Sequence, residues 1–286
     1  MLVLTGCGCL GAEPARVDTS TLIGQAFVRL YNFDFPGAQL ILDRQIAQDP
    51  QIPLTHAVKA AAYLFSELDR LKILQMDFFE DDDRVIDREL LVPDPALRAE
   101  FLRQIEIARE LANARLATHP DDREALFTLC MSAGLVTDYA ALVERRRFGS
   151  FALAKHTQAY ALKLLALKPP YYDAYLTSGS VEYVVGSLYF FVRWFVRIDG
   201  IQGSKQKAIE HLQLVAERGK YYGPFARVLL SVIYLREKRA QDAENLLAAL
   251  VSEFPENPLL RRELERARGL ARRGRPAAPA SGNGSR

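Results

Sequence analysis

The chain has 286 residues, of which 49% are apolar and 25% are charged, a balance typical of a globular protein with a substantial core. Its 37 lysines and arginines stand against 35 acidic residues, so the formal net charge of +2 favours neither nucleic acid nor a membrane surface as a partner. This composition excludes a disordered chain, a collagen-like fibre and a multi-pass membrane protein.

The N-terminal segment contains a motif typical of lipid-anchored proteins. Residues 1–10 form an apolar run that is too short to span a bilayer. Within it, Leu4-Thr5-Gly6-Cys7 resembles the lipobox of bacterial lipoproteins, a family in which the signal is cut before a cysteine that is then acylated. The resemblance implies lipidation of Cys7 and an extracytoplasmic, membrane-anchored protein; a cytoplasmic protein is the alternative. Three residues before the lipobox cannot supply a complete signal peptide, so we expect the natural start to lie upstream.

Two other interpretations of this segment have less support. Gly6 to Gly11 fits G-x-G-x-x-G, but a dinucleotide site needs a helix of a βαβ unit at the third glycine, and Pro14 with a polar spacer follows instead. A metal site at Cys7 and Cys9 needs further soft ligands, and the rest of the chain offers only Cys130 and four scattered histidines. We therefore predict neither a cofactor nor a bound metal.

Helical periodicity dominates from residue 19 onward, and sustained strand-like alternation is absent. We predict an all-α domain over residues 19–271, preceded by a spacer over 1–18 and followed by a disordered basic tail over 272–286. Its predicted elements are five antiparallel helix pairs and a final helix that opens at Asn257-Pro258. The pairs are 19–33 with 36–48, 54–76 with 95–118, 122–146 with 150–168, 171–197 with 204–218, and 223–237 with 240–254.

Small residues and prolines recur at the same spacing near both ends of this domain. The first set is Ala26, Ala38 and Pro50, and the last is Ser231, Ala243 and Pro255. This pattern resembles the tetratricopeptide repeat (TPR), a 34-residue helix–turn–helix unit. The resemblance implies a TPR-like superhelical solenoid in which the final helix is a polar-backed cap.

The C-terminal half also resembles the mitochondrial outer-membrane inclusion-clearance family of TPR proteins. In that family an aromatic helix precedes Gly-x-x-Gly-x-x-x-x-Ala-Ile, and here Phe190 to Trp194 precede the stretch from Gly200 to Ile209. This second resemblance implies a scaffold or adaptor rather than an enzyme.

The segment from Tyr183 to Phe195 is apolar around almost its whole helical circumference, which is typical of a helix buried on all sides. A central core helix is the simpler interpretation. The alternative is the wall of an apolar-ligand cavity, which would make the protein a ligand-binding accessory of a transporter. The wall would consist of Tyr183, Tyr189, Phe190 and Trp194.

The groove formed by the first helix of each repeat suggests what a bound peptide would contact. In chaperone-binding TPR domains, basic and amide side chains there clamp a terminal carboxylate. The equivalent positions here are Ile23 and Phe27 in the first unit and Val228 and Val232 in the last. These side chains predict a groove with mostly apolar contacts, in which Tyr31 and Arg236 are the polar anchors.

Charged residues are unevenly distributed along the chain. Residues 77–94 contain eight acids and two arginines, and residues 261–286 contain eight arginines and two glutamates. We interpret the first segment as a solvated loop and the end of the second, residues 272–286, as a solvated extension, with contact to anionic lipid or nucleic acid as the less supported alternative. Nucleic acid is therefore not an expected partner.

Nucleophile-elbow, P-loop and H-E-x-x-H motifs are all absent from the sequence. We therefore expect a non-enzymatic protein–protein interaction scaffold, a membrane-tethered component of a bacterial envelope assembly. A cytoplasmic TPR adaptor is a further alternative, and the sequence leaves the oligomeric state open.

Overall fold

The computed structural model describes residues 14–74, 92–144, 147–177 and 205–274. All regular secondary structure in these ranges is helical, which confirms the predicted all-α class. The described elements include a π-helical turn, Tyr139–Val143, and a 3₁₀ turn, Tyr172–Ala174. The described α-helices are α1 Leu22–Tyr31, α2 Phe35–Gln48, α3 Pro53–Arg70, α4 Pro95–Thr118, α5 Arg123–Asp138, α6 Arg147–Ala166, α7 Lys205–Arg218, α8 Gly223–Arg236, α9 Ala240–Glu253 and α10 Pro258–Gly274.

Several helices begin where an aspartate satisfies backbone donors that the first turn leaves unpaired. The Oδ1 atoms of Asp34, Asp94 and Asp122 accept N–H bonds of 2.9, 2.7 and 3.0 Å at the starts of α2, α4 and α5. Proline occupies one of the first two positions in α2, α3, α4 and α8, where its missing N–H has no cost. These local signals explain why most predicted boundaries agree with the structure within a few residues.

Two of the differences between the predicted and observed boundaries lie at the ends of α3 and α10. Helix α3 ends at Arg70 rather than at residue 76, because Lys72 adopts a left-handed conformation with φ of 60°. The next N–H, of Ile73, then bonds to the Leu68 carbonyl at 2.8 Å and closes the helix end. Helix α10 continues to Gly274, so the first three residues of the predicted tail are helical. Arginines in its last turn interact favourably with the helix dipole.

Helices that are consecutive in the sequence pack against each other, from α1 to α6 and again from α7 to α10. The buried apolar residues form two main clusters. The first core is built mainly from α1 to α6, and the second core from α7 to α10. Ala26, Ala38, Ser231 and Ala243 are fully buried, as expected for small residues at helix–helix contacts.

The turns after α1 and α8 have the same backbone geometry. Phe33 and Lys238, each two residues beyond its helix, adopt left-handed conformations with φ of 64° and 59°. In each turn the N–H of this residue bonds to the carbonyl three residues earlier, at 3.0 and 3.1 Å. The following N–H bonds to the carbonyl five residues earlier, at 2.9 and 2.7 Å. Both are Schellman motifs, which reverse the chain into the next helix.

The N-terminal part of the described chain contacts the C-terminal part directly. The Ala15 N–H donates to the Ala216 carbonyl at 3.0 Å, and the Asn257 side chain donates to the Tyr31 carbonyl at 2.8 Å. The Glu256 N–H also donates to the Asn32 side chain at 3.1 Å. Because repeats of an open solenoid contact only their neighbours, these bonds are additional to packing in chain order.

One described segment, Arg123–Val143, is long and apolar enough to cross a membrane by length and composition alone. It has 21 residues and a mean hydropathy of 1.6, and 61% of its apolar window is buried inside the protein. This burial is typical of a core helix in a soluble protein, so the segment is weak evidence for a membrane span.

Candidate functional site

The structure does not place the six predicted groove residues around an open groove. Ile23 and Phe27 on α1 are only 8% and 3% exposed, and Val232 on α8 is 8% exposed. These three side chains therefore belong to the cores. The remaining three predicted residues are half-buried: Tyr31, Val228 and Arg236.

The space in front of α1 is filled by aromatic side chains from the loop between α7 and α8. The Tyr221 ring stacks on Phe27 with centroids 4.8 Å apart and on Phe127 of α5 at 5.9 Å. The Tyr222 ring lies 5.4 Å from Phe127. We call this cluster the aromatic seam; it consists of Phe27, Tyr31, Phe127, Tyr171, Tyr221, Tyr222 and Phe254.

Tyr31, a predicted polar anchor, is engaged inside the molecule. Its hydroxyl donates to the Tyr221 carbonyl at 2.8 Å, and its ring lies 5.1 Å from Phe254, at the end of α9. Burial raises the pKa of the Tyr31 hydroxyl well above its ordinary value, so this group is neutral at physiological pH. Tyr31 thus connects α1 to the second core.

A buried carboxylate, Asp173, holds the loop that carries the two seam tyrosines. It is 1% exposed and accepts backbone N–H bonds from Lys220, Tyr221 and Tyr222 at 2.7, 2.9 and 2.6 Å. Burial raises the pKa of Asp173, while the three backbone bonds act in the opposite direction. All three donors come from consecutive residues, so one side chain fixes the loop conformation.

Two glycines allow the N-terminal strap, residues 14–18, to lie close to the helices. A Cβ atom on Gly24 of α1 would lie 1.8 Å from the Asp18 carbonyl oxygen. A Cβ atom on Gly223 of α8 would lie 3.1 Å from the Ala15 carbonyl oxygen. The strap therefore requires glycine at position 24, whereas a Cβ atom at position 223 would require the strap to move by a few tenths of an ångström.

The seam is suited to joining segments rather than to chemistry. Burial raises the pKa of the Tyr171 and Tyr222 hydroxyls as it does for Tyr31, so these phenols stay protonated. The Asp173 carboxylate, which lies beside these phenols, already accepts three backbone N–H bonds. The sequence feature that points to the aromatic seam is a pair of Tyr-Tyr dipeptides, 171–172 and 221–222. Each dipeptide lies next to a helix-breaking proline or glycine.

The cysteine within the described residues, Cys130, is buried. The Cys130 Sγ lies 3.7 Å from the Thr157 carbonyl oxygen and 3.6 Å from the Thr177 hydroxyl. Burial raises the pKa of this thiol to about 11, so it is protonated at physiological pH. The expectation of a buried, inert thiol is confirmed in its burial and protonation.

A second buried carboxylate, that of Glu67, connects the residues on the two sides of the acidic segment. Glu67 at the end of α3 accepts two bonds from Arg70, at 2.7 and 2.8 Å, and one from the Asp94 N–H at 2.8 Å. Arg70 also donates to the Val92 carbonyl at 2.7 Å. These contacts bring the residues before and after the segment 75–91 together.

Several predicted site residues lie outside the described ranges. They are Cys7, the proposed lipidation site, and the four aromatic residues Tyr183, Tyr189, Phe190 and Trp194. Most of the acidic segment, residues 75–91, and the tail from residue 275 onward also lie outside. Within the described ranges, no group of three or more His, Cys, Asp or Glu side chains is arranged to hold a metal ion.

No protein-family model matches the chain, and no curated protein matches its sequence.

Proposed function

We propose that the protein is a non-enzymatic, TPR-like helical scaffold that binds a protein partner and is tethered to a membrane through Cys7. The observation that carries this proposal is the repetition of one helix–turn–helix geometry near both ends of the domain. The turns after α1 and α8 each have a left-handed residue two positions beyond the helix, and both make the same two backbone bonds. In both units a small buried residue lies seven positions before this left-handed residue and another lies five positions after it: Ala26 and Ala38 flank Phe33, and Ser231 and Ala243 flank Lys238. Identical units that stack in chain order are typical of repeat proteins.

The partner surface of this scaffold differs from the groove that the sequence predicts. Because the aromatic seam fills the space in front of α1, a partner has to contact other faces of the helices. Leu40 on α2 and Leu162 on α6 are 63% and 57% exposed, and they are the most exposed leucines of the described residues. Apolar side chains of this kind form the central part of many protein interfaces.

The proposed tether would hold the folded domain close to the membrane. Ala15 is fixed to α7 by its bond to Ala216, and it lies only eight positions after Cys7. Fully extended, this length of chain reaches about 28 Å. A lipid on Cys7 would therefore keep the strap, and with it the aromatic seam, near the bilayer surface.

The tether is tested by metabolic lipid labelling in the native host, with the gene expressed together with its upstream sequence. We expect labelling and membrane fractionation of the wild type and of Cys9→Ser, and the loss of both in Cys7→Ser. Cys9→Ser is the matched control because it removes a thiol two residues away. A wild-type protein that stays soluble and unlabelled would disprove the tether.

The scaffold is tested by a photo-crosslinking amino acid placed at Leu40 or Leu162 in the host. We expect a discrete adduct with one other protein from at least one of these positions. Asn113 on α4 and Asn245 on α9, which are exposed and polar, are the control positions and should give no such adduct. If the leucine positions give no adduct either, the scaffold proposal is rejected.

A further inference from the structure

Helix α10 has a buried apolar side and an exposed side on which arginine dominates. Leu260, Leu264 and Ala267 are buried against the second core. Six arginines and one glutamate project from the rest of the circumference, which gives this surface a formal charge of +5. We call it the arginine face; its arginines are Arg261, Arg262, Arg266, Arg268, Arg272 and Arg273.

Acidic side chains neutralise only part of this face. The buried Glu263 contacts Arg262 at 2.8 Å and Arg266 at 3.3 Å. Arg268 contacts Glu265 at 2.6 Å and Glu244 of α9 at 3.6 Å. No carboxylate in the described part of the chain is ion-paired with the other three arginines, which are exposed: Arg261, Arg272 and Arg273.

Helix stability does not account for this distribution of charge. The helix dipole favours arginine in the last turn, where Arg272 and Arg273 lie, but disfavours it near the N-terminus, where Arg261 and Arg262 lie. A terminal capping helix needs a polar outer face, but solubility is served equally by a mixture of both signs. A surface on which one sign of charge predominates indicates attraction to a partner of the opposite sign.

The shape of this surface and the charge of the remaining chain indicate the kind of partner. A helix of 17 residues presents its outer side as a ridge about 25 Å long, with arginines along its whole length. Residues 1–260 carry a formal charge of −4, so a uniformly anionic surface attracts the molecule through this helix and repels the rest. Such attraction orients the protein as well as binding it.

We infer that the arginine face of α10 docks on the anionic headgroups of a lipid bilayer. The inference that this contact orients the tethered domain rests on the proposed anchor at Cys7. The contact itself does not require the anchor, because guanidinium groups pair with phosphate oxygens wherever both are present.

The test uses the full chain with Cys7→Ser, so that no acyl group contributes to binding. Vesicles of phosphatidylcholine with and without phosphatidylglycerol are compared by co-sedimentation. We expect binding only to the vesicles that contain phosphatidylglycerol. Binding should be lost in about 1 M salt, where the Debye length falls to about 3 Å.

A matched pair of triple variants locates the contact. Arg261→Glu, Arg272→Glu and Arg273→Glu together should weaken partitioning by at least about 100-fold, since each basic residue near an anionic surface contributes about fivefold or more. The control is Arg44→Glu, Arg103→Glu and Arg109→Glu on α2 and α4, exposed arginines whose reversal changes net charge equally. This control should retain binding, and circular dichroism should show that both variants are folded.

Several results would overturn the inference: no vesicle binding, equal weakening by both triple variants, or binding that is lost on deletion of residues 275–286 while the α10 variant retains it. Tighter binding to single-stranded RNA than to vesicles would also overturn it. Lipid labelling that fails while vesicle binding persists would remove the tether but leave the docking surface intact.

Discussion

At the scale of single residues, Asp173 shows how one buried side chain sets the conformation of a loop. Its carboxylate accepts three consecutive backbone N–H bonds, from residues 220–222. The Tyr221 donor is buried and the other two are partly buried, and a buried donor without an acceptor costs about 1–3 kcal/mol. The residue is separated from its partners by at least 47 positions, so no local pattern in the sequence indicates its role.

Replacement of Asp173 tests this role. We expect Asp173→Ala to lower the free energy of unfolding by about 3 kcal/mol or more, because three donors lose their acceptor. Asp173→Asn keeps one acceptor oxygen and should cost less. Urea denaturation of both variants measures the difference, and an unchanged midpoint for the alanine variant would contradict the assignment.

The same substitution gives a pH dependence of known sign. Because burial raises the pKa of Asp173 above its ordinary 3.8, the folded state binds the proton more tightly than the unfolded state does. The contribution of this carboxyl to stability therefore falls as the pH rises from 3.8 through the raised pKa. The stability of wild type relative to Asp173→Asn should decrease over this range, and an increase would show that the three backbone bonds outweigh burial.

Left-handed residues that are not glycine give a second prediction at this scale. Lys238 has φ of 59° and is exposed, so its side chain adds strain without a buried contact. Lys238→Gly should raise the free energy of unfolding by about 1 kcal/mol, because glycine adopts this conformation without a steric penalty. Lys238→Ala is the control, since it removes the same side chain but keeps Cβ. Equal stability of the two variants in urea would disprove the argument.

At the scale of elements, the helix pairs α1–α2 and α8–α9 depend on small residues at their contact. Ala243 is fully buried in the second core and occupies the position in α9 that Ala38 occupies in α2. A larger or charged side chain here has to separate the two helices or lose its hydration. The spacing of alanine, serine and proline in the sequence predicts this contact, because neighbouring helices of a pair are joined by a short turn.

An aspartate at this contact should be strongly destabilising. Ala243→Asp should lower the free energy of unfolding by at least about 3 kcal/mol, because it buries a carboxylate without a partner. Ala249→Asp, on the exposed side of the same helix, controls for the change in helix propensity and should have little effect. Thermal unfolding followed by circular dichroism compares them, and similar melting temperatures would refute the assigned contact.

At the scale of the whole molecule, the aromatic seam connects the first core to the second. Phe27 of α1 stacks on Tyr221, and the Tyr31 hydroxyl bonds to the Tyr221 carbonyl across 190 positions of sequence. The loop between α7 and α8 thereby contributes a side chain to the first core. Through these contacts the molecule departs from an open stack whose units contact only their neighbours.

A double-mutant cycle measures this connection. Phe27→Ala and Tyr221→Ala should show a coupling energy of about 0.5–1.5 kcal/mol in urea denaturation, the range of stacked aromatic pairs. Phe27→Ala with Phe101→Ala is the negative control, because Phe101 stacks on Tyr139 instead, and should be additive. Additivity of the Phe27 and Tyr221 substitutions would show that the seam contributes no coupling.

Local patterns in the sequence predict the helices, most of their boundaries and the small residues at two helix contacts. These features depend on interactions within a few turns of helix or across one short loop. The periodicity of apolar residues, the capping residues and the spacing of small residues therefore predict them. The sequence also predicts the burial of Cys130, which lies within an apolar helix. The end of α3 was missed because lysine rather than glycine takes the left-handed position there.

The filling of the predicted groove depends on contacts between segments that are far apart in the sequence. Ile23, Phe27 and Val232 carry the apolar character that a peptide groove and a buried core share, so composition does not distinguish the two. Whether these residues line a groove or a core depends on Tyr221 and Tyr222, which belong to a loop about 190 residues from α1. It also depends on Asp173, which holds that loop in place. Contacts at such separation leave no periodic pattern in the chain, because each partner is selected by the packing of the whole molecule.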